Sequence, residues 1–347
     1  MKKTFNYISL SILLIFSLSI LGGCTKKQEN KEPLSRSDLL MGTVIKVTMY
    51  DSTDESILDD IFNKIKDIES KLSINENGTL LDKINTSAGI EPIKVDDDTY
   101  EVIKSGLEYS EVSNGLFDIT IGPLVKLWSI GLPEQKLPTK EEIDSKLPLI
   151  NYNDIILDDA NKTVSLKRSG MILDLGGIAK GFTADIISEL LTARGVKSAI
   201  IDLGGNIFAH GNKNKDDLWK IGIQNPLSER GGIIGSIKVQ DKSIVTSGIY
   251  ERYFEENGIR YHHILNPKTG YPYENNIAGI TIVSDKSIDG DALSTSVFAM
   301  GLEHGLDFIN SRNGIDAIFV TKDNKIYLSN GIKDNFNLSN EDFIIQE

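Results

Sequence analysis

Short apolar segments recur from residue 155 onward, at 155–157, 163–166, 171–175, 198–203, 219–223, 235–239 and 278–283, each of strand length. Only two long helical patterns interrupt them, near 178–194 and 289–310. So many strands with so few crossover helices favour an α+β fold, with mostly antiparallel sheets and flanking helices, over a doubly wound parallel sheet. Upstream, 43–50 reads as a strand with Ile45, Val47 and Met49 on one face. A helix follows in which Ile57, Leu58, Ile61, Phe62, Ile65, Ile68 and Leu72 keep close to a 3.6-residue period. A second helix over 99–113 places Val102, Ile103 and Leu107 on one face and stops at Asn114-Gly115. Residues 129–149 hold three of the nine prolines and read as a surface excursion around a short helix. A chain of this length can fill one large core or two intimately joined lobes.

Lys2 and Lys3 precede an apolar run from Ile8 to Leu21, which leads into Leu-Gly-Gly-Cys ending at Cys24. A basic start and an apolar stretch too short to span a bilayer comfortably predict a secretory signal. The LGGC ending resembles a bacterial lipobox, in which cleavage before the cysteine is followed by acylation with palmitate-type chains. This reading divides the chain into a signal peptide (1–23), a lipid-anchored tether (24–38) and a domain (39–345), held on the outer face of the cytoplasmic membrane. Residues 25–37 are polar and charged without periodicity, as a tether should be. Cys24 is the only cysteine, so no intrachain disulfide is possible. The net charge of −13 becomes more negative still without Lys2 and Lys3, which argues against nucleic acid and against a basic grip on anionic lipid.

Three separated segments carry chemistry. In DLGGIAKG (174–181), a strand runs through Gly176-Gly177 into a helix, where free N–H groups and the helix dipole favour an anion. Lys180 falls in the first helical turn, where the dipole disfavours a cation unless a phosphate is near. The segment lacks the Walker and Rossmann spacings. In DGDALSTS (289–296), Asp291 and Thr295 are four residues apart and share a helix face. A carboxylate with a hydroxyl suits Mg2+ or Ca2+, although Asp289 or Asp291 could equally be an N-cap. In HHILNPKTG (262–270), two of the four histidines are adjacent on a strand and so point to opposite faces. One can be structural while the other serves as acid or base, and the alternative is a half-exposed pair with no role. No second His or Cys cluster supplies the remaining ligands of a zinc site.

The ordered set MGT (41–43), NGLFDITIGPLVKLW (114–128), DLGGIAKG, DLGGNIFAHG (202–211), TSGIYERY (246–253), HHILNPKTGYP and DALSTS resembles the ApbE-type FAD:protein FMN transferase family over nearly all of the chain after the tether. The resemblance implies Mg2+-dependent cleavage of FAD as substrate, passage of FMN to a Thr or Ser hydroxyl of an acceptor protein, and release of AMP. It implies metal ligation by Asp291, Thr295 and the backbone carbonyl of Gly177. His263 matches the histidine that takes the proton of the incoming hydroxyl. Met41, Leu116, Phe117, Asp118, Asp174, Lys180 and Leu265 match FAD-contacting positions. The acceptors implied are extracytoplasmic flavin-bearing subunits of respiratory complexes.

Two positions depart from the family pattern. Asn75 stands where an aromatic residue commonly packs on the flavin nucleotide, and an amide cannot stack as a ring does. Ser294 stands where many members carry a second carboxylate. Asn75 keeps open an FAD pyrophosphatase that gives FMN to water, and a third possibility is a non-catalytic FAD-binding lipoprotein.

Overall fold

The amphipathic helix Glu55–Leu72 shows how the domain is assembled. Asp54 caps it by accepting from the Ser56 amide, Lys71 lies in its last turn, and all seven apolar residues of its stripe are buried. That stripe packs on Ile45, Val47 and Met49 of the strand Thr43–Met49 and on Ile187 and Leu191 of the helix Ala179–Ala193. In this computed structural model, residues 32–214, 217–228 and 231–346 are described. Cys24, the signal peptide and most of the proposed tether lie outside the described residues.

The strand just named belongs to a nine-stranded sheet. Its spatial order is Leu34–Leu40, Thr43–Met49, Ser198–Leu203, Asn206–Gly211, Lys242–Gly248, Ile277–Ser284, Asp316–Thr321, Lys325–Leu328 and Ile344–Ile345. Every pairing is antiparallel except the last. Side chains alternate between two cores: Ala317 and Phe319 meet Leu293, Val297 and Phe298 of the helix Ser287–Met300, whereas Ile318 and Val320 face a small sheet of Trp219–Gln224, Ile233–Val239 and Asn337–Leu338. Ile277–Ser284 lies between these layers and is buried at every residue, which explains its unbroken apolar run.

A second lobe packs the helices Leu80–Thr86 and Asp97–Val112 on a three-stranded sheet of Ile93–Lys94, Thr163–Leu166 and Ile155–Asp158. Its core takes in Ile178, Ala179, Ile288 and Ala292 from the helices of the large sheet. The α+β architecture with intimately joined lobes is therefore present, and the motif-bearing turns lie where the lobes meet.

Three expectations need correction. The tether cannot extend to residue 38, because Leu34–Leu40 is a strand in seven-residue register with Thr43–Met49. Its sequence lacks a strand's alternation because it is an edge whose ladder, not its side chains, holds it. The hairpin turns through Met41 and Gly42, both with positive φ (52° and 70°). Residues 171–175 do not form a strand: Ile172 makes one isolated bridge to Ile121, and Met171, Leu173 and Leu175 are simply core side chains. The pattern at 289–310 is two helices, Ser287–Met300 and Leu302–Asn310, broken at Gly301, whose backbone (φ 80°, ψ 176°) suits glycine alone. The first begins at Ser287 because Asp185, on the neighbouring helix, accepts from the amides of Ser287 (2.7 Å) and Ile288 (2.9 Å).

Candidate functional site

The crossing of Ala179–Ala193 with Ser287–Met300 sets the metal-type donors. A Cβ on Gly181 would lie 2.3 Å from the Ser287 carbonyl oxygen, so only glycine permits the approach. Across that contact the Gly181 amide donates to Asp291 Oδ2 at 2.8 Å. Neither acid of the DGDALSTS segment is an N-cap: Asp289 accepts from the Tyr109 hydroxyl at 2.7 Å, and Asp291, 5% exposed, pins the crossing with one oxygen and keeps the other.

Thr295, one turn on, is different from the hydroxyls around it. Thr183, Ser296, Ser110 and Thr192 all donate to the carbonyl four residues back, whereas among the described residues Thr295 Oγ1 has no hydrogen-bond partner. A Cβ on Gly177 would sit 3.8 Å from that Oγ1 and 3.0 Å from Phe117 Cε2, which brings the glycine turn, the Phe117 turn and the helix face together. One carboxylate oxygen, one unpartnered hydroxyl and the glycine backbone form a hard-oxygen set that fits Mg2+, provided substrate phosphate completes the shell. No group of three or more His, Cys, Asp or Glu able to hold a metal occurs among the described residues. Ser294 is fully buried; it donates to the Asp291 carbonyl (2.8 Å) and meets Ser247 Oγ at 2.7 Å, locking the helix to strand Lys242–Gly248.

The histidine pair divides, although only its first member lies in a strand and His263 follows in a bend. His262 is buried at the end of the strand Ile259–His262; its Nε2 lies 2.9 Å from the Tyr273 carbonyl and its Nδ1 accepts from the Ile264 amide at 3.3 Å. Both nitrogens are satisfied only in the neutral ring, and burial pulls its pKa down to about 4. His263 is half-buried with Nδ1 3.2 Å from the Arg252 carbonyl. Donation from that nitrogen leaves Nε2 as a free lone pair. Desolvation and the Arg252 charge push His263 down to about 3, so it is a free base at neutral pH.

The turn at 116–118 is built from within. Ser113 Oγ braces the Phe117 amide (3.0 Å) and carbonyl (3.1 Å), and the Leu116 carbonyl accepts from the Tyr273 hydroxyl at 3.0 Å. Asp118 accepts with Oδ1 from Thr120 N and Oγ1 and with Oδ2 from Tyr152 N, so its carboxylate shapes the turn while Oδ2 keeps one acceptor site. Asp174 Oδ1 accepts from the Gly176 amide at 2.7 Å; burial raises its pKa against the pull of that bond and of Arg252, Lys126 and Lys180. Lys180 Nζ reaches only 3.4 Å from the Gly176 carbonyl. Asn75 is exposed, and its Oδ1 accepts from Lys126 Nζ at 3.3 Å. Met41 packs on both lobes and donates its amide to Glu69. Leu265 is buried with Leu124, Trp128 and Ile143. Sequence reasoning missed Lys126 and Arg252; their only sequence signal was that each stands inside a quoted motif, with no local pattern marking it.

Residues 41–319 match the profile of the ApbE family. The chain is similar to an FAD:protein FMN transferase of Klebsiella pneumoniae (40% identity, covering 85% of this chain and 91% of the relative). It is also similar to one of Treponema pallidum (34% identity, 100% of each). Among solved structures, the ApbE protein of Thermotoga maritima superposes with a TM-score of 0.80 at 31% identity, covering 88% of this chain and 99% of that one.

Proposed function

The chain belongs to the ApbE family, and from that premise we propose that it transfers FMN from FAD to a Thr or Ser hydroxyl of an acceptor protein and releases AMP. The reading is supported by a hard-oxygen face (Asp291, Thr295, Gly177) together with a neutral histidine, His263, that feels the charge of Lys180, three residues on from Gly177. The acceptor hydroxyl gives its proton to His263 Nε2 as its oxygen bonds to the flavin-side phosphorus, and the bond to the bridging oxygen breaks so that AMP leaves. Asp291, Thr295 and the Gly177 carbonyl would hold Mg2+, which would supply neutralisation of charge on the diphosphate. The Met41 turn, the 116–118 turn, Asp174, Lys180 and Leu265 position the nucleotide. Cys24 carries the lipid, so the domain works at the outer face of the cytoplasmic membrane on extracytoplasmic flavin-bearing subunits.

Asn75 favours a second reading, FAD hydrolysis, because an exposed amide tied to Lys126 offers no ring to cover the nucleotide. One experiment separates the readings. The chain without residues 1–23 is incubated with FAD, Mg2+ and a candidate acceptor, and products are resolved by protein mass and nucleotide chromatography. Acceptor bearing FMN with an equal amount of AMP is the expected result; free FMN and AMP alone would make it a hydrolase, and intact bound FAD would make it a carrier.

A further inference from the structure

We infer that Arg252 grips the phosphate under attack, binding the non-bridging oxygens of the flavin-side phosphate through its guanidinium; this rests on the transferase reading.

Arg252 is fixed beside the base. It flanks the hairpin of Tyr253–Glu256 and Ile259–His262, in which Tyr253 pairs with His262. The next residue, His263, directs both its amide (3.1 Å) and its ring Nδ1 (3.2 Å) at the Arg252 carbonyl. Aromatic contacts brace the hairpin against the domain: Phe254 stacks on Tyr261 at 5.3 Å, and Tyr261 meets Trp128 at 5.5 Å. The side chain then runs across two glycine turns. Its stem lies 3.3–3.5 Å from where a Cβ of Gly131 would be, and Nη2 lies 3.6 Å from where a Cβ of Gly42 would be, beside Met41.

Its guanidinium makes no ion pair among the described residues. Among the described arginines, Arg36, Arg168, Arg194 and Arg260 each pair with a carboxylate, and Arg312 lies over the Phe308 ring. Arg252 alone of the described arginines has no ion pair, side-chain hydrogen bond or ring contact among the described residues, in a chain of net charge −13. Lys126 and Lys180 add to it: all three charges act on Asp174, and those of Arg252 and Lys180 also act on His263. Three cations around the single carboxylate of Asp174 leave a net positive field suited to a phosphate, and the planar fork of arginine matches two of its oxygens. The flavin-side phosphate is selected because the hydroxyl deprotonated by His263 must attack that phosphorus, and the guanidinium, carried by the residue whose carbonyl orients His263, is near enough for its charge to act on that ring.

The test compares FMN, riboflavin and AMP as ligands, in EDTA, for wild type, Arg252→Gln and Arg252→Lys, with thermal melts as a folding check. Arg252→Gln should weaken FMN roughly tenfold or more, leave riboflavin and AMP unchanged, and Arg252→Lys should fall between. Transfer by Arg252→Gln should drop by about 10²-fold or more, with partial recovery in the lysine variant. An unchanged FMN-to-riboflavin affinity ratio in Arg252→Gln, or a loss confined to AMP, overturns the assignment while leaving the transferase reading in place. A wild type that binds neither FMN nor FAD overturns both.

Discussion

At the scale of single residues, Asp291 has two tasks that substitution can separate. Alanine would leave the Gly181 amide buried without a partner, a fault worth about 1–3 kcal/mol by itself. Asparagine can still accept from that amide, so Asp291→Asn should melt near wild type yet lose transfer by at least about 10²-fold at limiting Mg2+. Near-normal turnover there would remove the carboxylate from the metal site. His263→Ala should cost on the order of 10²- to 10⁴-fold in rate while FAD is retained. The pH profile carries a further expectation. With its pKa lowered to about 3, His263 is already unprotonated far below pH 6.5, so kcat/KM should stay level from pH 8 to about 5 on the acidic side. A break near 6.5 would show that the base titrates as an ordinary histidine. Asn75→Tyr should tighten FAD and slow any acceptor-free hydrolysis, since a stacked ring is worth roughly 1 kcal/mol; unchanged leakage by nucleotide chromatography would close the hydrolase reading.

At the scale of elements, two contacts dominate. The helix crossing at Gly181 has no slack: Gly181→Ala sets a methyl against the Ser287 carbonyl and the Ile288 backbone, so it should cost about 2 kcal/mol or more in a denaturant melt. Because Asp291 is pinned across that crossing, Mg2+ affinity in the presence of FAD should fall with it. The hairpin end is held by His262, which is buried and neutral. Its folded pKa, about 4, lies below the unfolded value, so the unfolded chain binds the proton first and stability declines as pH falls from about 6.5 towards 4. The decline from this group is on the order of 3 kcal/mol. Asp185 works the other way: raised to about 6 by burial, it binds its proton more tightly when folded and contributes stability that is lost as pH rises through 6. Thermal melts across this window should therefore show a shallower acid decline in His262→Gln than in wild type.

At the scale of the whole molecule, the N-terminal boundary matters. The family profile begins at residue 41, but among the described residues strand pairing starts at Leu34 and carries the chain into the Met41 turn. A chain starting at Pro33 should fold and turn over normally, whereas one starting at Met41 should melt several degrees lower and bind FAD more weakly, because the edge strand that holds the Met41 turn is gone. Cys24→Ala should move the protein from the membrane fraction to the soluble one with turnover on a soluble acceptor intact. Continued membrane retention would mean that something other than the lipid holds it.

The sequence by itself determined the elements whose signal is local. The apolar period marked the helix Glu55–Leu72 to its last buried residue, and alternation marked Ser198–Leu203. It also placed Asp291 and Thr295 on one helix face, since that follows from spacing four. Tertiary structure decided what depends on distant partners. Leu34–Leu40 is a strand because another strand pairs with it, and Ser287–Met300 starts where it does because Asp185, about a hundred residues away, caps it. Asp118 serves the turn because Thr120 and Tyr152 donate to its oxygens, and Arg252 has no ion pair because the fold brings no carboxylate of the described residues within salt-bridge reach of it. Periodicity reports only on neighbours within a turn or a pleat, whereas caps, satisfied carboxylates and unpaired cations are properties of the packed chain.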